Sequence, residues 1–165
     1  MESRSVFLAD AAATQALGLQ LAQQWLAWAR ADSGDLATPP ILLLQGDLGA
    51  GKTCLVQGLA AGLGIDEPIT SPTFALAQHY QGCVNQRRTT LVHLDLYRLE
   101  QASAADELFA QEEEEAMGLG ALMAVEWSER LSIAPDGAWR VRLELVQPDQ
   151  PEAGRRALLD QVPAG

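Results

Sequence analysis

The sequence predicts an α/β fold, and three observations carry that prediction. The apolar run "ILLL" of residues 41 to 44 stands just before the glycine-rich stretch "GDLGAGKT" of residues 46 to 53, and a helical pattern follows at once. Runs with strand character recur downstream between runs with helical spacing. The chain has 165 residues, 48% apolar and 20% charged, a balance suited to a single domain over residues 1 to 165 with one buried core.

Taken in order, "SVFL" (5 to 8) reads as a short strand. Asp10 reads as the N-cap of a helix to about residue 30, with Leu17, Leu21, Trp25 and Trp28 spaced to face the core. "ADSGDLATPP" is rich in breakers and reads as a loop. Residues 41 to 44 have the unbroken apolar character of a strand covered on both faces in a parallel sheet. The pattern from 52 to 63 predicts a helix ended by Gly62 or Gly64.

Within "ITSPTFALAQHY" a loop gives way to a strand over 74 to 80. A second strand follows over 89 to 94, and the short link "QGCVNQRR" implies that the two are antiparallel. A helix is expected after Ser103, with Asp106 completing a capping box, and its acidic run at 112 to 115 reads as a solvated face. Residues 121 to 125 form another apolar run, ending at Glu126. After the turn signal "APDG", Trp139, Val141, Leu143 and Leu145 alternate with Arg140, Arg142 and Glu144, as in a half-buried strand. "QPDQPEAG" reads as a loop, and 155 to 161 as a last strand or helix.

Composition excludes several classes. The net charge of −11 argues against a basic groove that neutralises nucleic-acid phosphates. "MESRSVFLAD" lacks a basic region followed by an apolar core, and no run approaches the ~18 apolar residues of a membrane span, so a cytoplasmic protein with no membrane partner is expected. Cys54 and Cys83 lack paired spacing and read as plain small residues. His79 and His93 read as strand residues without a partner at ligand spacing.

Ten of the 11 basic residues are arginine, and the one lysine is Lys52, inside the glycine-rich stretch. Gly46, Gly51, Lys52 and Thr53 fit G-x-x-x-x-G-K-[ST], with Gly49 as a further glycine. Such glycines let successive backbone N–H groups point into one concavity at the positive end of the next helix, where they cradle a β-phosphate. The compact ammonium of Lys52 suits the β and γ oxygens, and Thr53 suits Mg²⁺. A nucleotide-binding site is therefore expected over Asp47, Leu48, Gly49, Ala50, Gly51, Lys52, Thr53 and Cys54. Asp95 follows "TLVHL" and Glu126 follows "ALMAV", each at the carboxyl end of an apolar run, where a phosphate-loop fold places its metal and water-orienting acids. "SPTF" (71 to 74) is either a switch-like loop offering hydroxyls to a γ-phosphate or an ordinary loop.

Together "GDLGAGKT", "SPTF", "HLDLYRL" and "VEW", in this order, resemble the bacterial TsaE (formerly YjeE) family of P-loop ATPases that serve threonylcarbamoyl modification of adenosine in tRNA. The resemblance covers essentially the whole chain. It implies a three-layer α/β/α P-loop NTPase domain with a mixed, mostly parallel sheet and antiparallel C-terminal strands. It also implies ATP and Mg²⁺ as cofactors, with slow hydrolysis that matters in a complex with TsaB-like and TsaD-like partners, the tRNA being met only through that complex. By the same resemblance Thr53 and Glu126 are the Mg²⁺ ligands. Asp95 orders either a metal water or the attacking one, Thr73 belongs to a switch loop, and Trp127, Ala11 and Arg155 approach the nucleotide. Two positions depart from the family pattern: Cys54 replaces a second threonine, and Phe74 stands where tyrosine is usual.

Two other readings stay open. A small-molecule P-loop kinase needs an arginine-rich lid over an acceptor pocket, and only Arg87, Arg88 and Arg98 fall mid-chain. A nucleotide-gated binding module without turnover uses the same Asp95 and Glu126 for binding alone.

Overall fold

The computed structural model describes residues 1 to 31, 39 to 47, 49 to 70 and 76 to 165. Its elements in chain order are β1 (Arg4–Leu8), α1 (Ala11–Arg30), β2 (Leu42–Gln45), α2 (Lys52–Gly62), β3 (Ala77–Val84), β4 (Arg87–Asp95), α3 (Ala102–Leu119), β5 (Leu122–Glu126), β6 (Trp139–Leu145) and β7 (Arg155–Gln161). The seven strands form one sheet in the order β1-β7-β6-β2-β5-β4-β3. The central pairs β6–β2, β2–β5 and β5–β4 are parallel, while β1–β7, β7–β6 and β4–β3 are antiparallel. The sheet is thus mixed, with its parallel part in the middle.

Strand β2 is covered on both faces, which its unbroken leucines require. Leu42 and Leu44 join Leu17, Leu21, Leu55 and Leu59 in a core beneath α1 and α2. Leu43 points the other way and packs with Val92, Met123, Val125 and the α3 residues Ala105 and Ala116. Three layers result, with α1 and α2 on one face and α3 on the other.

Asp10 caps α1 as its sequence position suggests, its Oδ1 accepting from the Ala13 N–H at 2.8 Å. Trp25 is buried and donates its indole N–H to the Pro40 carbonyl at 2.9 Å, whereas Trp28 is only half-buried. Helices α1 and α2 cross at glycines. A Cβ added to Gly58 would lie 2.0 Å from the Gln15 carbonyl oxygen, and one added to Gly18 would lie 2.2 Å from that of Leu55. No larger residue fits this backbone contact.

Several expectations change. The C-terminal segment is the strand β7, because it completes the pairing of both β1 and β6. Strand β3 begins at Ala77, and the expected strand positions 74 and 75 lie outside the described residues. It also runs further than predicted, since the link to β4 is only Asn85 and Gln86 (φ 51° and 66°), the left-handed pair of a tight hairpin turn. Helix α3 starts at Ala102 without a side-chain cap. Asp106 instead lies within it and accepts from the Ser132 N–H at 3.0 Å and hydroxyl at 2.5 Å. The acidic run is not all solvated. Glu112 is buried, with its Oε2 2.8 Å from His79 Nε2, and Glu115 approaches the other ring nitrogen at 3.8 Å. Among the described residues, no helix is long and apolar enough to cross a membrane.

Candidate functional site

At the carboxyl end of β2 the chain turns through Gly46, Gly49 and Gly51 into α2. All three glycines have positive φ (144°, 80° and 107°), and a Cβ on Gly46 would come 2.7 Å from the Leu143 carbonyl oxygen of β6. Only glycine meets both demands. The Ala50 N–H closes a turn onto the Asp47 carbonyl at 3.0 Å, and Leu48 lies outside the described residues. Among the described residues, no side chain caps the first turn of α2. Its N–H groups stand at the positive end of the helix dipole, the end that attracts an anion.

Lys52 is 6% exposed, and its ammonium donates to the carbonyls of Gly46 and, at 3.2 Å, Asp47. Burial pushes its pKa down, against the opposing pull of Glu126, Glu129, Asp95 and Asp47. The acids come from neighbouring parallel strands: Asp95 ends β4, Glu126 ends β5, and the two are register partners. Burial raises the Asp95 pKa, and the Glu126 charge pushes the same way. A hydrogen bond from the Tyr97 N–H (3.0 Å) and the charge of Lys52 work against it. Glu126 is 3% exposed, and its Oε2 lies 2.5 Å from Nε2 of the fully buried His93. Thr53, in the first turn of α2, is half-buried, as is the neighbouring Cys54.

Trp127 follows Glu126 in the left-handed region (φ 57°), a conformation that costs a non-glycine residue about 1 kcal/mol or more. Its ring lies 4.9 Å from that of Tyr97 and 4.5 Å from the Lys52 ammonium. On the other flank Arg155, the first residue of β7, donates from Nη2 to the Gly49 carbonyl at 3.1 Å and from Nε to that of Ala50 at 3.0 Å. Next to Gly51 stand Arg155 and the buried Thr14, one turn after Ala11, which is exposed at the start of α1. An open depression of about 690 Å³ beside the loop is lined by Gln45, Gly46, Asp47, Ala50, Trp127 and Arg142, among others.

The fold therefore gathers the glycine loop, Lys52, Asp95, Glu126 and Trp127 at one end of the parallel strands, with Arg155 and the start of α1 against the loop. Thr73, with the rest of "SPTF", lies outside the described residues. Sequence reasoning missed His93 as part of the site. Its partner is distant in sequence, but its place two residues before Asp95, on the same face of the strand, was the available signal.

The family described as threonylcarbamoyl adenosine biosynthesis protein TsaE matches residues 8–156, nearly the full length of the chain. The chain belongs to the TsaE family. Among curated TsaE proteins, that of a Nostoc species is 42% identical over 133 residues, 79% of this chain and 71% of the relative. A Synechocystis TsaE is 44% identical over 136 residues, 81% of this chain and 75% of the relative. The crystal structure of Bacillus subtilis YdiB superposes with a TM-score of 0.60 at 24% identity, covering 98% of this chain and 86% of that one, which supports the fold.

Proposed function

We propose that this TsaE-family chain is the Mg²⁺-dependent, ATP-binding and ATP-hydrolysing subunit of a cytoplasmic assembly that makes threonylcarbamoyladenosine in tRNA. The observation that carries the reading is the convergence of the Lys52 ammonium with the carboxylates of Asp95 and Glu126 at the mouth of an uncapped helix N-terminus.

The donor set fits the ligands. Three glycines of positive φ, one of them packed too closely on β6 to carry a side chain, give the loop the backbone that suits a phosphate chain. A threonine hydroxyl and carboxylates are hard oxygen donors of the kind Mg²⁺ takes, so Thr53 and Glu126 would hold the ion. When bound, Mg²⁺ would neutralise charge that develops on the phosphate oxygens. Lys52 binds the terminal phosphates after leaving the loop carbonyls. Asp95 accepts a proton or hydrogen bond from water, and its raised pKa suits it to that role. Trp127, with Tyr97 against it, stands beside the Lys52 ammonium, and Arg155 fixes the loop from its other flank.

The tRNA chemistry belongs to TsaB-like and TsaD-like partners, and this chain supplies a nucleotide-driven change of conformation. Its net charge of −11 agrees with a protein that does not itself grip the RNA. The test is ATP hydrolysis by the purified chain with and without the TsaB–TsaD pair. Activity rises with the partners and falls in Glu126→Ala by about a hundredfold or more, the scale of losing a group that stabilises the transition state. Undiminished hydrolysis by Glu126→Ala in the full complex would refute the assignment.

A further inference from the structure

We infer that His93 is a positioning residue that holds the Glu126 carboxylate in the orientation from which it takes the metal. The inference rests on the Mg-ATP reading above. In the parallel register of β4 and β5, His93 lies opposite Ala124. Its ring reaches diagonally to Glu126, two residues further along the same face, with Nε2 2.5 Å from Oε2.

Glu126 is 3% exposed and His93 fully buried, so water supplies little to this carboxylate. A carboxylate in such a place needs hydrogen bonds to offset the loss of hydration. Ligating carboxylates are held in just this way by outer-shell donors. In its metal-binding form the Glu126 side chain carries no proton and only accepts, so Nε2 donates. Nδ1 is left with no partner among the described residues, which agrees with a ring whose one proton sits on Nε2. One carboxylate oxygen is thereby tied to β4.

The experiment compares His93→Gln, which keeps a donor near the Nε2 position, with His93→Leu, which keeps bulk and loses the donor. ATP binding is measured by calorimetry across a Mg²⁺ titration and in EDTA, with thermal melting to confirm folding. His93→Leu raises the Mg²⁺ concentration for half-maximal effect by about 10- to 100-fold while binding in EDTA stays within about twofold, and His93→Gln recovers to within about threefold of the parent. A parental Mg²⁺ response in His93→Leu, or equal shifts in both variants, overturns the inference.

A second measurement needs no folded variant at this position. Nitrogen NMR of the ¹⁵N-histidine-labelled parent, with His79→Gln assigning the other of the two histidines, reads the tautomer. The Nε2–H form is expected, and the Nδ1–H form overturns the inference alone. If the parent shows no Mg²⁺-dependent ATP binding at all, the reading of the site fails first and the inference fails with it.

Discussion

The Lys52 ammonium lies 4.5 Å from the centre of the Trp127 ring while it donates to carbonyls of its own loop. A cation over an indole face gains roughly 0.5 to 2 kcal/mol. The loop and the indole thus satisfy the lysine, and on the proposed reading a triphosphate draws the ammonium away. This changes the field at Trp127, one of four tryptophans in the chain. Saturating Mg-ATP is expected to alter tryptophan emission. The change disappears in Trp127→Phe and survives in Trp25→Phe, whose ring is buried under α1. Survival in Trp127→Phe would contradict the placement.

Arg155 ties β7 to the phosphate loop through the carbonyls of Gly49 and Ala50. Hydrogen bonds from a charged donor contribute about 1.5 to 3 kcal/mol, so Arg155→Ala is expected to weaken ATP binding about tenfold or more by calorimetry. Arg155→Lys does not restore it, because an ammonium cannot present the planar fork that spans two carbonyls. Parental affinity in Arg155→Ala would remove this residue from the site.

The glycine crossing of α1 and α2 predicts opposite outcomes for two helical glycines. Gly58→Ala drives a methyl into the Gln15 backbone and should cost about 1 to 3 kcal/mol or more in urea unfolding. Gly118→Ala, in α3, meets no atom within 4 Å and should stabilise by roughly 0.5 to 1 kcal/mol. Equal effects would mean that the two helices do not pack this closely.

What could be read from the residues follows from how local each signal is. The Asp10 cap, the buried leucines of β2 and the glycine loop each declare themselves within a few positions, and the structure has them as expected. The acids Asp95 and Glu126 were legible because each ends an apolar run. The His93–Glu126, His79–Glu112 and Asp106–Ser132 contacts were not, because strand order and helix docking create them between residues far apart in the chain. The Gly18 and Gly58 contact was hidden for the same reason. Nothing in a helical pattern says which face another backbone will touch.

Two acids give stability effects of opposite sign with pH. Arg140 holds Asp160 through Nε–Oδ1 at 2.8 Å and Nη2–Oδ2 at 2.5 Å, and this keeps the Asp160 carboxyl below its ordinary 3.8. Its contribution is present above that value and is lost as pH falls through the lower folded-state pKa. Both groups are about a third exposed, so Asp160→Asn should cost only about 0.2 to 1 kcal/mol near neutral pH, a gap that closes in strong acid. Asp95 has a raised pKa, so its ionised form opposes folding above that pKa. Asp95→Asn should therefore melt higher than the parent at pH 7 while hydrolysing ATP more slowly. A lower melting temperature would contradict the burial argument.

The most direct measurement is calorimetry of the purified chain with Mg-ATP at two temperatures, with circular dichroism to confirm the fold. The expected result is one saturable site, weakened about tenfold or more by Lys52→Ala, the order of a lost charge-assisted contact. A folded chain that takes up no Mg-ATP, or one that binds equally well without the Lys52 ammonium, would contradict the account at its centre.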